Sequence, residues 1–192
     1  HVGCVGSDGD SLIAELGKAG ISPRFVKVGV APSGHAVIQV DEEGRNSIVI
    51  SAGANRELDS ELIQDAILRL EDTDWLLLQN ETNGIAEAIE LAARKGKKVA
   101  INIAPADERM FDYPLSKVAL IIVNELEAMA LSSKSSPQLA FDSLIKAYPE
   151  IDIVLTLGEE GVWSYRAKDS ARKGMGSFKI DATDETAAGD SF

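Results

Sequence analysis

The sequence predicts an α/β fold built on a largely parallel sheet. Short β-like apolar runs alternate with segments of helical periodicity, which is typical of strands joined by crossover helices. The chain has 192 residues, 45% of them hydrophobic, which is enough apolar material for one globular domain over residues 1–192. Its purely apolar stretches are far shorter than the roughly 18 residues that a membrane helix needs. We therefore expect no transmembrane span.

The amino-terminal part is predicted to contain several strands and one helix. The predicted order is a strand, a helix and three further strands, at 2–5, 10–19, 25–30, 36–40 and 47–51. A turn over 41–44 joins the last two strands. Because no helix separates the three later strands, we expect them to form a separate small sheet.

From residue 59 onward, helices and strands alternate regularly. The predicted helices are at 59–70, 83–94, 125–131 and 137–148. The predicted strands are at 75–79, 98–102, 119–123 and 153–157, of which the first is apolar enough to be buried. After Gly161, two antiparallel strands over 162–166 and 177–180 are expected to flank a mobile polar loop over 167–176.

The charge balance argues against two classes of partner. The chain has 31 acidic and 19 basic residues, which gives it a net charge of −12. The basic residues are scattered, so the clustered positive surface that binds nucleic acid or an anionic membrane is not expected. The one cysteine, Cys4, cannot form an internal disulfide, and no leader-like segment precedes the first strand. These features predict a cytoplasmic protein.

Polar or glycine-rich segments follow five predicted strands or lie in the adjoining loops. Ligands of doubly wound folds bind beyond the carboxyl ends of the parallel strands, so these segments are the first candidates for a site. They are Gln79-Asn80-Glu81, Asn102-Ile103-Ala104-Pro105, Asn124-Glu125-Leu126-Glu127, and the stretches 156–161 and 184–190. One such segment alone would be ordinary, but five suggest a shared site.

The last of these segments could bind a phosphate. It runs through Thr186, Ala187, Ala188, Gly189 and Asp190 into a predicted helix start. Free backbone N–H groups at a helix start bind anions, and small side chains leave room for them. Asp190 could then take a proton from an attacking hydroxyl. The alternative is that Asp190 is only a helix N-cap.

Two further segments could hold a nucleotide and its metal ion. The first consists of Thr156, Leu157, Gly158, Glu159, Glu160 and Gly161. Its glycines would let backbone amides approach a phosphate or adenosine, or they form an ordinary tight turn. Asn124 and Glu127 share a face at a helix start and could orient Mg²⁺, or they form a capping box.

Taken together, these segments resemble, in order along the chain, the ribokinase-like (PfkB) carbohydrate kinases. The stretch 184–190 is similar to the family's Asp-Thr-x-Ala/Gly-Ala-Gly-Asp signature, and 124–127 to its Asn-x-x-Glu motif. Supporting matches are at 102–105, at 156–161 and, for the family's lid and the loop after it, at 32–55. The resemblance implies a three-layer α/β/α fold with a mostly parallel central sheet and a small β-sheet lid within about 25–51.

The resemblance also implies an ATP-dependent sugar kinase. Asp190 would contact the sugar and deprotonate its primary hydroxyl for attack on the γ-phosphate of ATP. The amides of Ala187, Ala188 and Gly189 would stabilise the developing charge. Asn124, Gly189 and residues 156–161 would hold the nucleotide, and Glu127 would act indirectly in the Mg²⁺ shell. Asp184 and Thr186 match positions that bind an activating monovalent cation, usually K⁺.

For the substrate and the assembly, the resemblance implies ribose and a homodimer. Glu81 matches a residue that hydrogen-bonds ribose, and the lid strands would pair with those of a second copy. A fructokinase, a nucleoside kinase, a deoxyribose kinase and a non-catalytic binding module remain alternatives. His35 is expected to be an exposed or packed side chain rather than a catalytic one.

The sequence departs from the family pattern in three places. Glu185 stands where the signature has Thr, and Ile103 replaces a proline. Nothing between His1 and Phe192 corresponds to the family's first sugar-binding segment. Nothing corresponds either to the part of the family's chain that follows the helix start at the catalytic Asp. We therefore expect the chain to cover an incomplete kinase domain.

Overall fold

A computed structural model describes residues 1–40 and 46–178. The strands are β1 Val2–Val5, β2 Phe25–Val28, β3 His35–Val40, β4 Asn46–Ser51, β5 Trp75–Gln79, β6 Lys98–Asn102, β7 Leu120–Asn124, β8 Asp152–Thr156, β9 Val162–Arg166 and β10 Ala171–Met175. The helices are α1 Asp10–Lys18, α2 Ser60–Ile67, α3 Ile85–Arg94, α4 Glu125–Ser132 and α5 Pro137–Ala147. The predicted α/β class is confirmed.

A six-stranded sheet forms the centre of the molecule. Its strand order is β10-β9-β8-β7-β6-β5. Strands β5 to β8 run parallel, whereas β9 and β10 are antiparallel to their neighbours. Gln79 is paired with Asn102, and Asn124 with Thr156. The polar residues that end these parallel strands therefore lie along one edge of the sheet, as predicted.

The hydrophobic core lies between this sheet and its helices. The inward-facing side chains of the central strands are fully covered. The largest completely buried side chains are aliphatic. They include Ile89, Ile101, Ile121, Ile153 and Leu155. Burial of each such side chain is worth about 1.5–3 kcal/mol, so these β-branched and leucine residues hold helices α3 and α5 against the sheet.

The expected three-stranded small sheet is wrong. Strands β3 and β4 do form an antiparallel hairpin, with Val37 opposite Val49. Strand β2, however, pairs in parallel with β1, from Val2 opposite Phe25 to Val5 opposite Val28. Helix α1 lies between them in sequence and provides the crossover that a parallel pair requires. The predicted turn over 41–44 lies outside the described residues.

Two predictions about the central sheet are also wrong. Strand β5 is an edge strand among the described residues, and Trp75 and Leu77 are 48% and 66% exposed rather than buried. The expected mobile loop over 167–176 contains β10, which pairs with β9. An edge strand tolerates polar side chains, and Arg172 forms an ion pair with Asp142 on α5. Residues 177 and 178 form no strand, and 179–180 lie outside the described residues.

Within residues 1–40 and 46–178, no helix is both long and apolar enough to cross a membrane.

Candidate functional site

A cleft of about 960 Å³ opens between the β1–α1 segment and strand β5. Most of its lining is apolar and comes from β1, α1, α2 and β5. Asn55, Glu81, Thr82 and Asn83 contribute polar groups. These polar residues are neighbours, because the Asn83 amide donates to the Asn55 carbonyl at 3.3 Å. A cleft with a mainly apolar lining and a small polar cluster is the usual form of a small-molecule site.

Glu81 enters this cleft from the loop that follows β5. The residue before it, Asn80, is completely buried. The backbone amide of Asn80 donates to the Ala104 carbonyl at 2.9 Å, and its side-chain amide donates to the Pro105 carbonyl at 2.6 Å. The structure therefore brings together the polar segments that follow β5 and β6.

The hydroxyl of Tyr113 completes the bonding of Asn80. It donates to the Asn80 side-chain oxygen. Burial raises the pKa of Tyr113 to about 12, so the phenol keeps its proton at neutral pH and remains a donor. Every polar atom of the buried Asn80 side chain thus has a partner, which stabilises the loop that carries Glu81.

Two arginines that no sequence motif indicates also contact this loop. The guanidinium of Arg109 donates to the carbonyls of Asn80 and Thr82, and that of Arg56 also donates to Thr82. Arg109 lies in the 3₁₀ helix Glu108–Asp112, shortly after Pro105. Its nearness to the 102–105 segment is the one signal in the sequence that could have selected it.

Asn124 and Glu127 form the capping box that was the alternative to a metal site. The Asn124 side-chain oxygen accepts from the Glu127 amide at 2.9 Å, and Glu127 Oε2 accepts from the Asn124 amide at 2.8 Å. The Asn124 side-chain amide also donates to Glu127 Oε1 at 2.9 Å. Burial raises the pKa of the Glu127 carboxyl, opposed by its hydrogen bond from the Asn124 amide. A role in the Mg²⁺ shell stays a prediction.

The turn after β8 lies beside this capping box. Its first residue, Thr156, is paired with Asn124 across the sheet, so two segments predicted to hold the nucleotide are adjacent. Gly158 and Gly161 both have positive φ angles, +52° and +100°. The amides of Leu157, Glu160 and Gly161 donate within the turn itself, while Glu159 and Glu160 are exposed.

Glu81 and the pair formed by Asn124 and Thr156 lie at the same carboxyl-terminal end of the parallel strands, but they are separated from each other. Strands β5 and β7 are separated by β6, which at ~4.8 Å per strand spacing places the Glu81 and Asn124 loops roughly 10 Å apart. His35 is exposed, as predicted, and its Nδ1 lies 3.2 Å from the Ser33 carbonyl oxygen.

The remaining predicted site residues lie outside the described residues. They are Asp184, Thr186, Ala187, Ala188, Gly189 and Asp190. Among the residues that are described, no three His, Cys, Asp or Glu side chains converge closely enough to hold a metal ion. Cys4 is a buried free thiol whose pKa is raised mainly by burial.

The comparison with family models gives a match over the whole chain. The model described as pfkB family carbohydrate kinase matches residues 1–192. The ribokinase of Haemophilus influenzae is 33% identical over 203 residues, which cover 100% of this chain and 64% of that protein. The deoxyribokinase of Salmonella typhi is 31% identical, and the match covers 98% of this chain and 64% of that protein.

A comparison of structures agrees with these matches. The structure of ribokinase from Giardia lamblia superposes with a TM-score of 0.83 and 30% sequence identity, covering 98% of this chain and 63% of that one. The ribokinase-like fold, with its mostly parallel central sheet, is therefore confirmed. The chain spans about 64% of the length of these curated relatives.

Proposed function

Because the chain belongs to the pfkB family of carbohydrate kinases, we propose that its protein is an ATP-dependent kinase that phosphorylates the primary 5-hydroxyl of D-ribose. The products are ribose 5-phosphate and ADP. The observation that carries this proposal is the arrangement on one sheet edge, with Glu81 in a cleft at β5 and the Asn124 and Thr156 segments side by side at β7 and β8.

The proposed reaction needs a base, a charge-stabilising group and an aligned phosphate. Asp190 takes the proton of the sugar hydroxyl, whose oxygen then forms the new bond to the γ-phosphorus of ATP. The bond from that phosphorus to the β–γ bridging oxygen breaks, and ADP leaves. The amides of Ala187, Ala188 and Gly189 stabilise the negative charge on the transferred group.

We propose that Mg²⁺ and a monovalent cation support this chemistry. Mg²⁺ is usually held by one or two carboxylates, retained waters and substrate phosphates rather than by a full protein cage. Glu127 fits an indirect role, since both its oxygens already accept hydrogen bonds from Asn124. When bound, Mg²⁺ would neutralise phosphate charge. The proposed K⁺ site, at Asp184 and Thr186, rests on the sequence motif.

Deoxyribose is a second candidate for the acceptor sugar. It is favoured by the deoxyribokinase of Salmonella typhi, which is 31% identical to this chain, nearly as similar as the Haemophilus influenzae ribokinase at 33%. Ribose differs from deoxyribose by one hydroxyl. If the Glu81 carboxylate accepts a hydrogen bond from that hydroxyl, deoxyribose would leave one carboxylate oxygen without a hydrogen-bond donor.

A sugar panel tests the proposal. ADP release by the protein expressed from its complete gene is measured with ribose, 2-deoxyribose, fructose and a purine nucleoside, each at several concentrations with ATP. We expect ribose to give the highest kcat/KM, by roughly 10- to 100-fold over deoxyribose, because one hydrogen bond to a charged group is lost. A preference for another sugar overturns the ribose assignment. Calorimetric binding of ribose and ATP without any turnover would instead support the non-catalytic alternative.

We further propose that the hairpin β3–β4 is the surface through which two copies pair. The face that carries Ala36, Ile38, Val40, Ile48 and Ile50 is mainly apolar, with Asn46 opposite Val40 at one end, and these five side chains are exposed. The opposite face carries Val37 and Val49 among polar residues. An apolar face of this kind is typical of a protein interface. We also propose a cytoplasmic location, in keeping with the single free cysteine.

A further inference from the structure

We propose that Arg109 is a positioning residue that fixes the Glu81 carboxylate for the sugar. The inference rests on the proposed function, because it assigns Arg109 a role in the recognition of the acceptor. Arg109 is not among the residues that line the cleft; its guanidinium binds the two residues that flank Glu81, of which Thr82 does line it. Neither the motifs of the sequence nor the predicted site residues include it.

The guanidinium of Arg109 spans the loop around Glu81. Its Nη2 donates to the Asn80 carbonyl at 2.8 Å, and its Nη1 donates to the Thr82 carbonyl at 2.9 Å. These are the carbonyls immediately before and after Glu81. The planar fork of a guanidinium holds its donors in a fixed relation, so the two bonds together set the turn of the backbone at Glu81.

Asp107 keeps the Arg109 fork in place. Its carboxylate accepts from Arg109 Nε at 2.8 Å and from Nη2 at 2.5 Å. The same carboxylate accepts from the Arg109 backbone amide at 2.9 Å. Because both partners of this ion pair are about two-thirds covered, the pair is better ordered than a fully exposed one. Asp107 therefore orients the guanidinium toward the Glu81 loop.

A second arginine binds the loop more simply. Arg56 ends the 3₁₀ helix Gly53–Arg56, which follows the hairpin β3–β4. Its Nη1 donates to the Thr82 carbonyl at 2.9 Å. Arg56 is exposed and makes this single bond to the loop, whereas Arg109 makes two bonds to it and is also anchored by Asp107. The same substitution should therefore affect the two positions unequally.

Both sides of Glu81 are fixed, and its side chain lines the cleft. Asn80 is held on the amino-terminal side by Ala104 and Pro105. On the carboxyl-terminal side, the Asn83 side chain exchanges two hydrogen bonds with the backbone of Leu58, at 2.7 and 3.0 Å. Between these two fixed points, Arg109 binds the backbone carbonyls directly before and after Glu81. Such preorganisation lowers the entropy that a ligand must remove on binding.

The test compares Arg109→Lys with Arg56→Lys in the protein from the complete gene. Lysine keeps the charge but lacks the fork, so it can replace the one bond of Arg56 and not the pair made by Arg109. We expect Arg109→Lys to raise the KM for ribose about tenfold, with the KM for ATP changed less than about twofold and kcat less than about threefold. We expect Arg56→Lys to raise the KM for ribose by less than about threefold.

Arg166→Lys is the matched control. Arg166 forms the same kind of fork with Asp169, but at the far side of the sheet from the cleft. We expect Arg166→Lys to leave all kinetic constants at their wild-type values. Asp107→Asn serves as the second variant if Arg109→Lys fails to fold, since it removes the anchor while keeping the fork. It should raise the KM for ribose by about threefold.

Hydrogen exchange, followed by mass spectrometry without any substrate, provides a readout that does not depend on activity. We expect Arg109→Lys to speed exchange in a peptide covering residues 79–85 and to leave the β7 and β8 peptides unchanged. Unchanged exchange at 79–85, an equal KM effect of the two lysine variants, or an equal rise in the KM for ATP each overturns the positioning role. If the wild-type protein phosphorylates no sugar, the proposed function fails, and exchange alone decides whether Arg109 fixes the loop.

Discussion

Gly161 occupies a backbone conformation that requires glycine. Its φ of +100° and ψ of −128° lie in a region that is essentially closed to other residues. A Cβ on Gly161 would lie 2.0 Å from the Met175 carbonyl oxygen, at the junction with β10. We therefore expect Gly161→Ala to lower the free energy of unfolding by about 2–4 kcal/mol, measured by urea denaturation.

Gly96 provides the control for this substitution. It also has a positive φ, +67°, but a Cβ there would meet no atom within 4 Å. Gly96→Ala should cost only about 1 kcal/mol, the strain of the left-handed conformation alone. Equal losses for the two variants would show that the close approach to Met175 does not matter.

The buried carboxyl of Glu127 predicts a specific pH dependence. Its pKa is raised by burial from an ordinary value of 4.5, so the folded state keeps a proton that the unfolded state has lost. The cost of burying the charge is absent below the unfolded pKa and is fully present above the raised, folded pKa. Wild-type stability relative to Glu127→Gln should therefore fall as the pH rises through this interval.

Urea denaturation of both proteins at several pH values between about 4 and 8 measures this difference. The sign is the decisive result. If the stability of the wild type relative to Glu127→Gln instead rose with pH, the ionised carboxylate would be the favoured form in the folded state. The hydrogen bonds from Asn124 would then outweigh desolvation.

Asp190 is the residue on which the proposed chemistry depends. Asparagine has nearly the same shape but cannot accept the hydroxyl proton. We expect Asp190→Asn to reduce kcat by about 10²–10⁴-fold, while ribose affinity, measured by calorimetry, changes less than about threefold. Asp142→Asn, remote from the cleft, serves as the control. Normal turnover by the Asp190 variant would remove it from the role of base.

Sequence patterns predict some of these residues and not others. The spacing of Asn124 and Glu127 is local, so the sequence indicates both the capping box and a possible metal role, and the structure shows the capping box. Arg109 and Arg56 act on backbone carbonyls of a segment that is distant in sequence. A carbonyl is present at every residue, so no side-chain motif records such a contact.

At the scale of elements, periodicity predicts strands better than their partners. Strands over 2–5, 75–79, 98–102 and 162–166 were predicted at the bounds that the structure has. The choice of a partner strand, however, depends on tertiary contacts. Nothing in the apolar runs 25–30 and 47–51 indicates that the first of them pairs with β1. Strand β10 was missed because Arg172, Lys173 and Gly174 are unfavourable for an inner strand but acceptable at an edge.

The hairpin β3–β4 offers a test of the proposed dimer with a control on its own reverse face. Ile48 lies on the mainly apolar face and is 50% exposed, whereas Val49 lies on the opposite face and is 66% exposed. A lysine on a buried interface face would place an unpaired charge there. We expect Ile48→Lys to raise the dimer dissociation constant at least about 100-fold, measured by light scattering over a dilution series.

Val49→Lys should leave the dissociation constant within about threefold of the wild type. Circular dichroism of both variants checks that the fold is retained. A wild-type protein that is monomeric at all concentrations would contradict the dimer, and equal effects of the two lysines would show that the other face, or both faces, takes part.

At the scale of the whole molecule, stability is distributed unevenly. The continuous core runs from Ile63 to Tyr165 and includes the inner residues of β6, β7 and β8. The hairpin β3–β4 contributes no described residue to it, and every residue of β3 is exposed. Regions with few buried apolar contacts open locally at a lower free-energy cost than the core. The proposed lid and the central sheet should therefore differ in their opening free energies.

Hydrogen exchange of the purified protein measures this gradient. In the free protein at low concentration, peptides of β3 and β4 should exchange at least about 100-fold faster than those of β7 and β8, which exchange only on global opening. Ribose should slow exchange in the 79–85 segment, because Glu81 and its neighbours line the cleft, and leave β7 and β8 unchanged. Since α4 and α5 pack on the far strands, their exchange serves as the internal reference. Equal protection of β3 and β7 in the monomer would contradict this distribution and would require a cover over the hairpin within the single chain.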